Sequence, residues 1–413
     1  MPKKMKLTKM EKAWILYDVG NSAFVLLVAT LFPIYFDAIA QQAGISSVDY
    51  LAYWGYAASA VTIIVAILGP VLGTMTDFKG WKKPVFLGSM ILGTAGCLLL
   101  GFMRSWFVFL VIFVIAKCGF SASLIFYDAM LSDVTSPERM DEVSARGFAW
   151  GYIGSCIPFI VGLALVLSAP SIGLNQLDAM TAAFSIASLW WFLATVPLWR
   201  SYRQVHYIPA DRKIIRNSFK RLGNTLKNMR SHPEVFWFLL SFFCYIDGVY
   251  TIIDMATAYG TALGLDTTGL LLALLLTQIV AFPATLVFGR LSGTYAPKTL
   301  ISVCIVAYTL ITLFGMTLDS QPKFWILAVC VGLFQGGVQA LSRSHFAKII
   351  PKDQSGEYFG IFDICGKGAS FLGTMLVSIT SQITNSIHYG IGSLVVLFLL
   401  GFFLFQKSCK YIK

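Results

Sequence analysis

Twelve stretches of this chain are each apolar enough and long enough to cross a lipid bilayer, and little sequence is left between them. A hydrocarbon core of about 30 Å takes about 20 helical residues at about 1.5 Å each, and a helix satisfies its own backbone hydrogen bonds there. The candidate spans are residues 13–36, 51–76, 84–103, 106–131, 144–168 and 179–199, then 234–259, 269–288, 297–317, 324–349, 358–384 and 389–405. With 57% of its 413 residues hydrophobic and 12% charged, the chain carries more apolar surface than one water-soluble core could bury. The expected class is an all-α integral membrane protein.

The basic residues test the count independently, because cytoplasmic connections are enriched in Lys and Arg. All but four of the 31 lysines and arginines fall on one side of a twelve-span layout. They lie in the amino terminus, after spans two, four, eight and ten, in the carboxyl tail, and in the connection from Arg200 to His232. Arg104 and Lys323 fall on the other side, while Lys117 and Lys367 lie within spans. Both termini are therefore expected in the cytoplasm of a cell with this protein in its plasma (inner) membrane. The net charge of +11 is topology signal resting against anionic headgroups, which removes it as an argument for nucleic-acid binding. The eight cysteines and four histidines show no disulfide framework or metal-ligand spacing, so neither cofactor nor metal is expected. The first apolar stretch contains Asp18 and Asn21 and no small-residue cleavage site, which reads as a span rather than a signal peptide.

The longest connection divides the chain into residues 1–200, a basic linker 201–232, and residues 233–413. Six spans on each side suggest two repeats with a solute site between them near the midplane. An internal echo supports this: Gly73, Asp77, Gly80, Lys82 and Lys83 follow span two, and Gly289, Arg290, Gly293 and Lys298 follow span eight. The first copy resembles the loop after span two in the major facilitator superfamily, although Phe78 and Trp81 stand where that family usually has arginine, and Gly293 replaces the acid in the second copy. Asp77 is expected to act in the gate, capping a helix or pairing with a base across the inner interface, with an ordinary solvated turn as the bland alternative.

Further motifs narrow the resemblance. Span one has Trp14, Tyr17, Asp18, Gly20, Asn21, Ser22 and Phe24; span four has Tyr127, Asp128 and Asp133; span seven has Tyr245, Asp247 and Gly248. Span ten reads Gly336-Gly337-Val-Gln339-Ala-Leu-Ser342-Arg343-Ser344, followed by Pro351, Tyr358, Gly360, Asp363, Gly366 and Lys367. Together they resemble the vacuole-effluxer family, the branch that includes autophagy-related vacuolar amino-acid exporters and bacterial members. The resemblance implies the major facilitator fold, with twelve transmembrane helices in two six-helix lobes, and carriage of a small organic solute.

A charge within a span costs at least about 2.5–3.5 kcal/mol near the bilayer centre, so each asks for a partner or a purpose. Asp247 lies roughly 20 Å into span seven. Asp254, two turns on, shares its face, and both are expected to line one aqueous cavity and to handle substrate or protons, with Thr251 and Tyr250 beside them. The duller reading of Asp247 is a brace beside Gly248. Asp18, Asp128, Arg343, Asp363 and Lys367 cluster toward the cytoplasmic side and are expected to form a gate, Asp363 and Lys367 pairing at i,i+4. Asn21, Gln278, Gln335 and Gln339 suit a polar solute, or simply join helices. Lys117 reads as an anion-binding group or, more simply, as the partner of a carboxylate across the bundle.

The expected protein is thus a monomeric carrier, not an enzyme, since it has no GxSxG turn, HExxH or phosphate loop. Its expected solute is an amino acid moved by alternating access with protons, the coupling carried by Asp247 with help from Asp254 or Asp18. Phe242, Phe243, Trp150 and Tyr152 leave export of an amphipathic compound or lipid as the alternative, and a non-transporting membrane sensor is the rival from another class.

Overall fold

A computed structural model of the protein describes residues 6–209 and 214–411. Of the basic residues, Lys3, Lys4, Arg212, Lys213 and Lys413 lie outside the described residues. The first span is two helices, α1 (Lys9–Ala29) and α2 (Leu31–Gln42). Then come α3 (Ser47–Thr76), α4 (Lys82–Leu100), α5 (Trp106–Ala129) with the short α6 (Leu131–Val134), α7 (Met140–Ser168) and α8 (Gln176–Ser201). The linker forms α9 (Ile214–Asn228). The second set is α10 (Pro233–Ala262), α11 (Thr267–Leu291), α12 (Pro297–Gly315), α13 (Gln321–Ile349), α14 (Ser355–Thr384), α15 (Ile387–Gly392) and α16 (Leu394–Cys409).

Among the described residues, 11 helical segments are long and apolar enough to cross a membrane. Helix α14, 30 residues long, runs through the expected eleventh span. The side chains of residues 367–371 lie outside the described residues, so the expected Asp363–Lys367 pair does too. Two expected spans are broken helices. The first breaks at Thr30, where Pro33 cannot donate to the Ala29 carbonyl and its ring crowds that group. The last is interrupted at Ser393, between α15 and α16.

Helix α1 packs on α7 and α8, and α4 on α5; in the second half α10 packs on α16 and α11 on α13. The halves meet where α3 lies on α14, α7 on α11 and α13, and α5 on α14. Small residues allow this approach: a Cβ at Gly360 would fall 2.6 Å from the Pro70 Cα, and one at Gly289 2.6 Å from the Ala145 Cβ. Much of the aromatic content is internal. Phe24, Phe32, Phe113, Phe184 and Trp191 fill the first half, and Phe242, stacked 4.0 Å from Phe362, belongs to the core of the second. This removes Phe242 from the lipid-facing bulk expected of such residues.

Candidate functional site

Arg343, near the basic end of α13, is buried among helices of the opposite half. Its Nη1 donates to Asp128 Oδ1 at 3.0 Å and lies 3.5 Å from Asp18 Oδ2. Its Nε donates to Ser144 Oγ at 2.9 Å and its Nη2 to the Ser144 carbonyl at 3.0 Å. The guanidinium also lies over Trp14 and Phe148, with ring centroids at 4.6 and 4.2 Å. The planar fork thus reads α1, α5 and α7 at once, a geometry that a lysine cannot reproduce. Beside it, Asp141 accepts from Ser344 Oγ and Lys348 Nζ, each at 2.6 Å. Asp363 is within electrostatic reach of Asp128. The expectation that Asp18, Asp128, Arg343 and Asp363 cluster matches this geometry.

Asp77 sits where α3 ends, after which Gly80 takes a positive φ of 80° that favours glycine. Its carboxylate caps α14 of the other half, accepting the Gly356 N–H at 2.7 Å and the Glu357 N–H at 3.1 Å. An acid at these unpaired N–H groups is favoured by the helix dipole. The solvated-turn reading of Asp77 therefore falls. Fully buried neighbours complete the seam: Lys82 Nζ donates to Ser355 Oγ at 2.8 Å and to Asp133 Oδ2 at 3.3 Å, and Glu357 accepts from Arg221 of α9 at 2.9 Å. The linker is knitted to the same loop, since the Ile208 N–H donates to the Asp77 carbonyl at 2.8 Å. Lys82 and Glu357 escape a reading by span depth because they lie at helix ends, Asp133 because it follows span four, and Arg221 because it lies in the linker helix. For Lys82 and Glu357, adjacency to the Gly73–Lys83 loop and to Pro351 is the available signal.

Burial pushes the Asp77 carboxyl up to about 7, against the opposing pull of Lys82, the two α14 N–H groups and Arg221. With the seam parted and Asp77 in water, its value returns to about 4. Between those values the joined state binds a proton that the parted state does not, so lowering pH from about 7 toward about 4 favours joining, and the effect vanishes above and below. Labelling of a cysteine placed at Ser355, buried in the seam, should accordingly slow as pH falls through that window with the native Asp77, once the rate is divided at each pH by that of an exposed reference cysteine to remove the thiolate fraction. In Asp77→Asn this ratio should not vary with pH there.

Asp247 and Asp254 do share a face of α10, yet they do not line one cavity. Asp247 is fully buried between α10 and α14, where its Oδ1 accepts the Gly373 N–H at 3.0 Å and Thr251 Oγ1 at 3.3 Å. A Cβ at Gly373 would fall 2.7 Å from that oxygen. This is the brace, not the water-lined acid. Asp247→Ala should lower the melting temperature by leaving two donors unsatisfied, at about 1–3 kcal/mol. Asp247→Asn, which keeps an acceptor, should retain solute flux within about threefold; loss of flux from a protein with unchanged melting would return Asp247 to the solute path.

Asp254, by contrast, is exposed, and Lys117 of α5, on the opposite half, is the charge that acts on it. Lys117 is held over the Phe24 and Phe120 rings at 5.9 and 5.1 Å. Tyr250, one turn toward the basic side, is within electrostatic reach of Asp254, Asp363, Asp128 and Arg343, linking Asp254 to the seam. Asn21 is turned inward, donating to the Tyr17 carbonyl at 3.0 Å and lying 3.5 Å from Asp18 Oδ1. Gln278 and Gln335 line a separate cavity of about 50 Å³ among α10, α11 and α13, room for water rather than an organic solute, and Gln339 lies outside its lining. A larger cavity, about 190 Å³, opens at the α7–α11 seam beside Arg146, Trp150 and Arg290, away from Asp254.

Two sets of helices joined along α3–α14 and α7–α11, with charged groups buried where they meet, define a transporter of the major facilitator type. The solved outward conformation of the major facilitator transporter FucP superposes with a TM-score of 0.75 over 97% of each chain at 14% identity. A bacterial homologue of the iron transporter ferroportin, outward-facing, gives 0.69 over 97% of this chain and 98% of that one at 17% identity. The chain belongs to the family described as vacuole effluxer Atg22 like, which matches residues 8–408. It is 42% identical to the uncharacterized MFS-type transporter YxiO of Bacillus subtilis over 96% of this chain and 94% of that protein. It is also 24% identical to autophagy-related protein 22 of Eremothecium gossypii, over 91% of this chain and 86% of that one. This is a multi-pass membrane transporter, not an enzyme.

Proposed function

We propose that this protein is a secondary active carrier of small polar organic solutes, amino acids being the class, and that it works by alternating access with protons as the coupling ion. The observation that carries the reading is the one-sided seam. The ion pairs and helix cap of Arg343, Asp77, Lys82 and Lys348 all lie toward the basic face, while Asp254 stands exposed at mid-depth. On this reading the basic face is cytoplasmic, the membrane is the plasma membrane, and the structure is the outward-open state. Opening inward then requires Arg343 to leave Asp18 and Asp128, and stranding those carboxylates is expensive. Asp77 holds a proton in the joined seam that it releases when the seam parts, which ties proton movement to gate opening. The vacuole-effluxer membership supports an organic solute moved out of a compartment.

Reconstitution into liposomes with a trapped pH dye and a mixed amino-acid pool tests the reading. Amino-acid movement accompanied by a pH change is expected, with the pH change lost in Asp77→Asn. Flux that ignores an imposed pH gradient would remove the proton, and folded protein that moves no amino acid would turn the assignment to an amphipathic solute.

A further inference from the structure

Lys117 and Asp254 carry opposite charges, stand on opposite halves, and lie at the same depth. Lys117 is eleven residues into α5 from its outer end at Trp106, about 16 Å; Asp254 is eight residues from the outer end of α10 at Ala262, about 12 Å. Neither belongs to the basic-face seam. A charge in mid-span carries a cost that evolution removes unless it is used, and here two are kept, one on each half, within electrostatic reach of each other where the exposure of Asp254 leaves a cleft. Lys117 is steered by the Phe24 and Phe120 rings, an arrangement that positions a cation while leaving its N–H donors directional. Asp254 is exposed, so a solute arriving through the cleft meets its carboxylate. Tyr250 lies one turn below, between this pair and the Arg343 cluster.

We infer that Lys117 and Asp254 form a clamp for a zwitterion, Lys117 taking the solute carboxylate and Asp254 its ammonium group. The inference rests on the carrier reading above and specifies its solute. In the empty cleft the two side chains neutralise each other. A compact zwitterion offers each of them a replacement partner, so inserting it leaves no charge uncompensated. A solute with a single charge satisfies one side chain and strands the other, which the low-dielectric cleft penalises. The clamp therefore selects by rejecting one-charge analogues as much as by holding the amino acid. Because its jaws belong to different halves, an occupied clamp also draws the halves together above the seam, the direction in which the cleft must close before the basic face can open.

Calorimetric binding in nanodiscs tests this with a panel of neutral L-amino acids, each beside its decarboxylated amine and its deaminated acid. Native protein is expected to bind at least one amino acid about tenfold or more tighter than either analogue, the contribution of one charge-assisted contact. Asp254→Asn should weaken the amino acid about tenfold and leave the deaminated acid at least as well bound. Lys117→Gln should do the reverse, sparing the amine. The double exchange of Lys117→Asp with Asp254→Lys keeps both charges in the cleft and should recover amino-acid binding, which a folding defect would not. Amino-acid binding unaffected by both single substitutions would overturn the clamp and leave the carrier reading standing. Failure of native protein to bind any amino acid would overturn both.

Discussion

Replacing Arg343 with glutamine should reduce solute flux by about two orders of magnitude. Removing one member of a buried ion pair costs about 3–5 kcal/mol, because the remaining charge keeps its desolvation without its partner, and each 1.4 kcal/mol is about tenfold. Here two carboxylates, Asp18 and Asp128, would be stranded together. Flux is measured in liposomes, and the state of the gate by labelling of a cysteine at the buried Ser355, which should accelerate. Arg343→Lys keeps the charge but not the fork that also holds Ser144, so a loss of about tenfold is expected. Combining Arg343→Gln with Asp128→Asn should restore melting temperature toward native while flux stays low. Native flux from Arg343→Gln would show that the cluster is bystander structure.

Gly356→Val should be as damaging by a purely steric route. A Cβ at Gly356 would collide with the Gly73 carbonyl oxygen and Thr76 Oγ1 and lie 2.9 Å from Asp77 Oδ1, and one at Gly73 would strike the Gly356 carbonyl oxygen. The atoms met include backbone on both sides, so no side chain can turn aside. The valine should hold the basic face parted: flux falls below detection, labelling of a cysteine at the buried Ser355 rises, and labelling of a cysteine at Asp254 from the opposite face falls. Gly88→Ala, where a Cβ meets open space, is the control and should leave flux within about twofold of native. An equal loss from Gly88→Ala would mean that helical glycines matter here for a reason other than contact between the halves.

Much of this architecture is legible in the residues because lipid permits so few alternatives. Spans follow from the length of apolar runs and their orientation from the placement of Lys and Arg. The break at Thr30 is less visible, because a single threonine in an apolar run carries no breaking signal and the cause, Pro33, lies one turn later. Residues whose role is local could be read: Arg343 and Asp128 are too deep to be idle. Lys82 and Glu357 could not, since each sits at a helix end where charge is ordinary, and they are buried because the halves come together. Asp247 and Asp254 show the limit most clearly. Periodicity puts them on one face, correctly. It says nothing of what that face meets along its length. Toward the basic side α14 closes over Asp247, and farther out the halves diverge and leave Asp254 exposed. A seven-residue spacing fixes direction around a helix, while burial depends on how neighbouring helices splay.

The central claim is that the two halves rock about a site between them. Pulsed electron–electron distance measurement tests it with spin labels at Glu138 and Asp353 on the basic face and, separately, at Leu174 and Asp319 on the opposite face, with the eight native cysteines replaced. On adding the amino acid that native protein binds, at one fixed pH, the first distance should lengthen as the second shortens. Distances on both faces that stay fixed, or that lengthen and shorten together, would contradict alternating access.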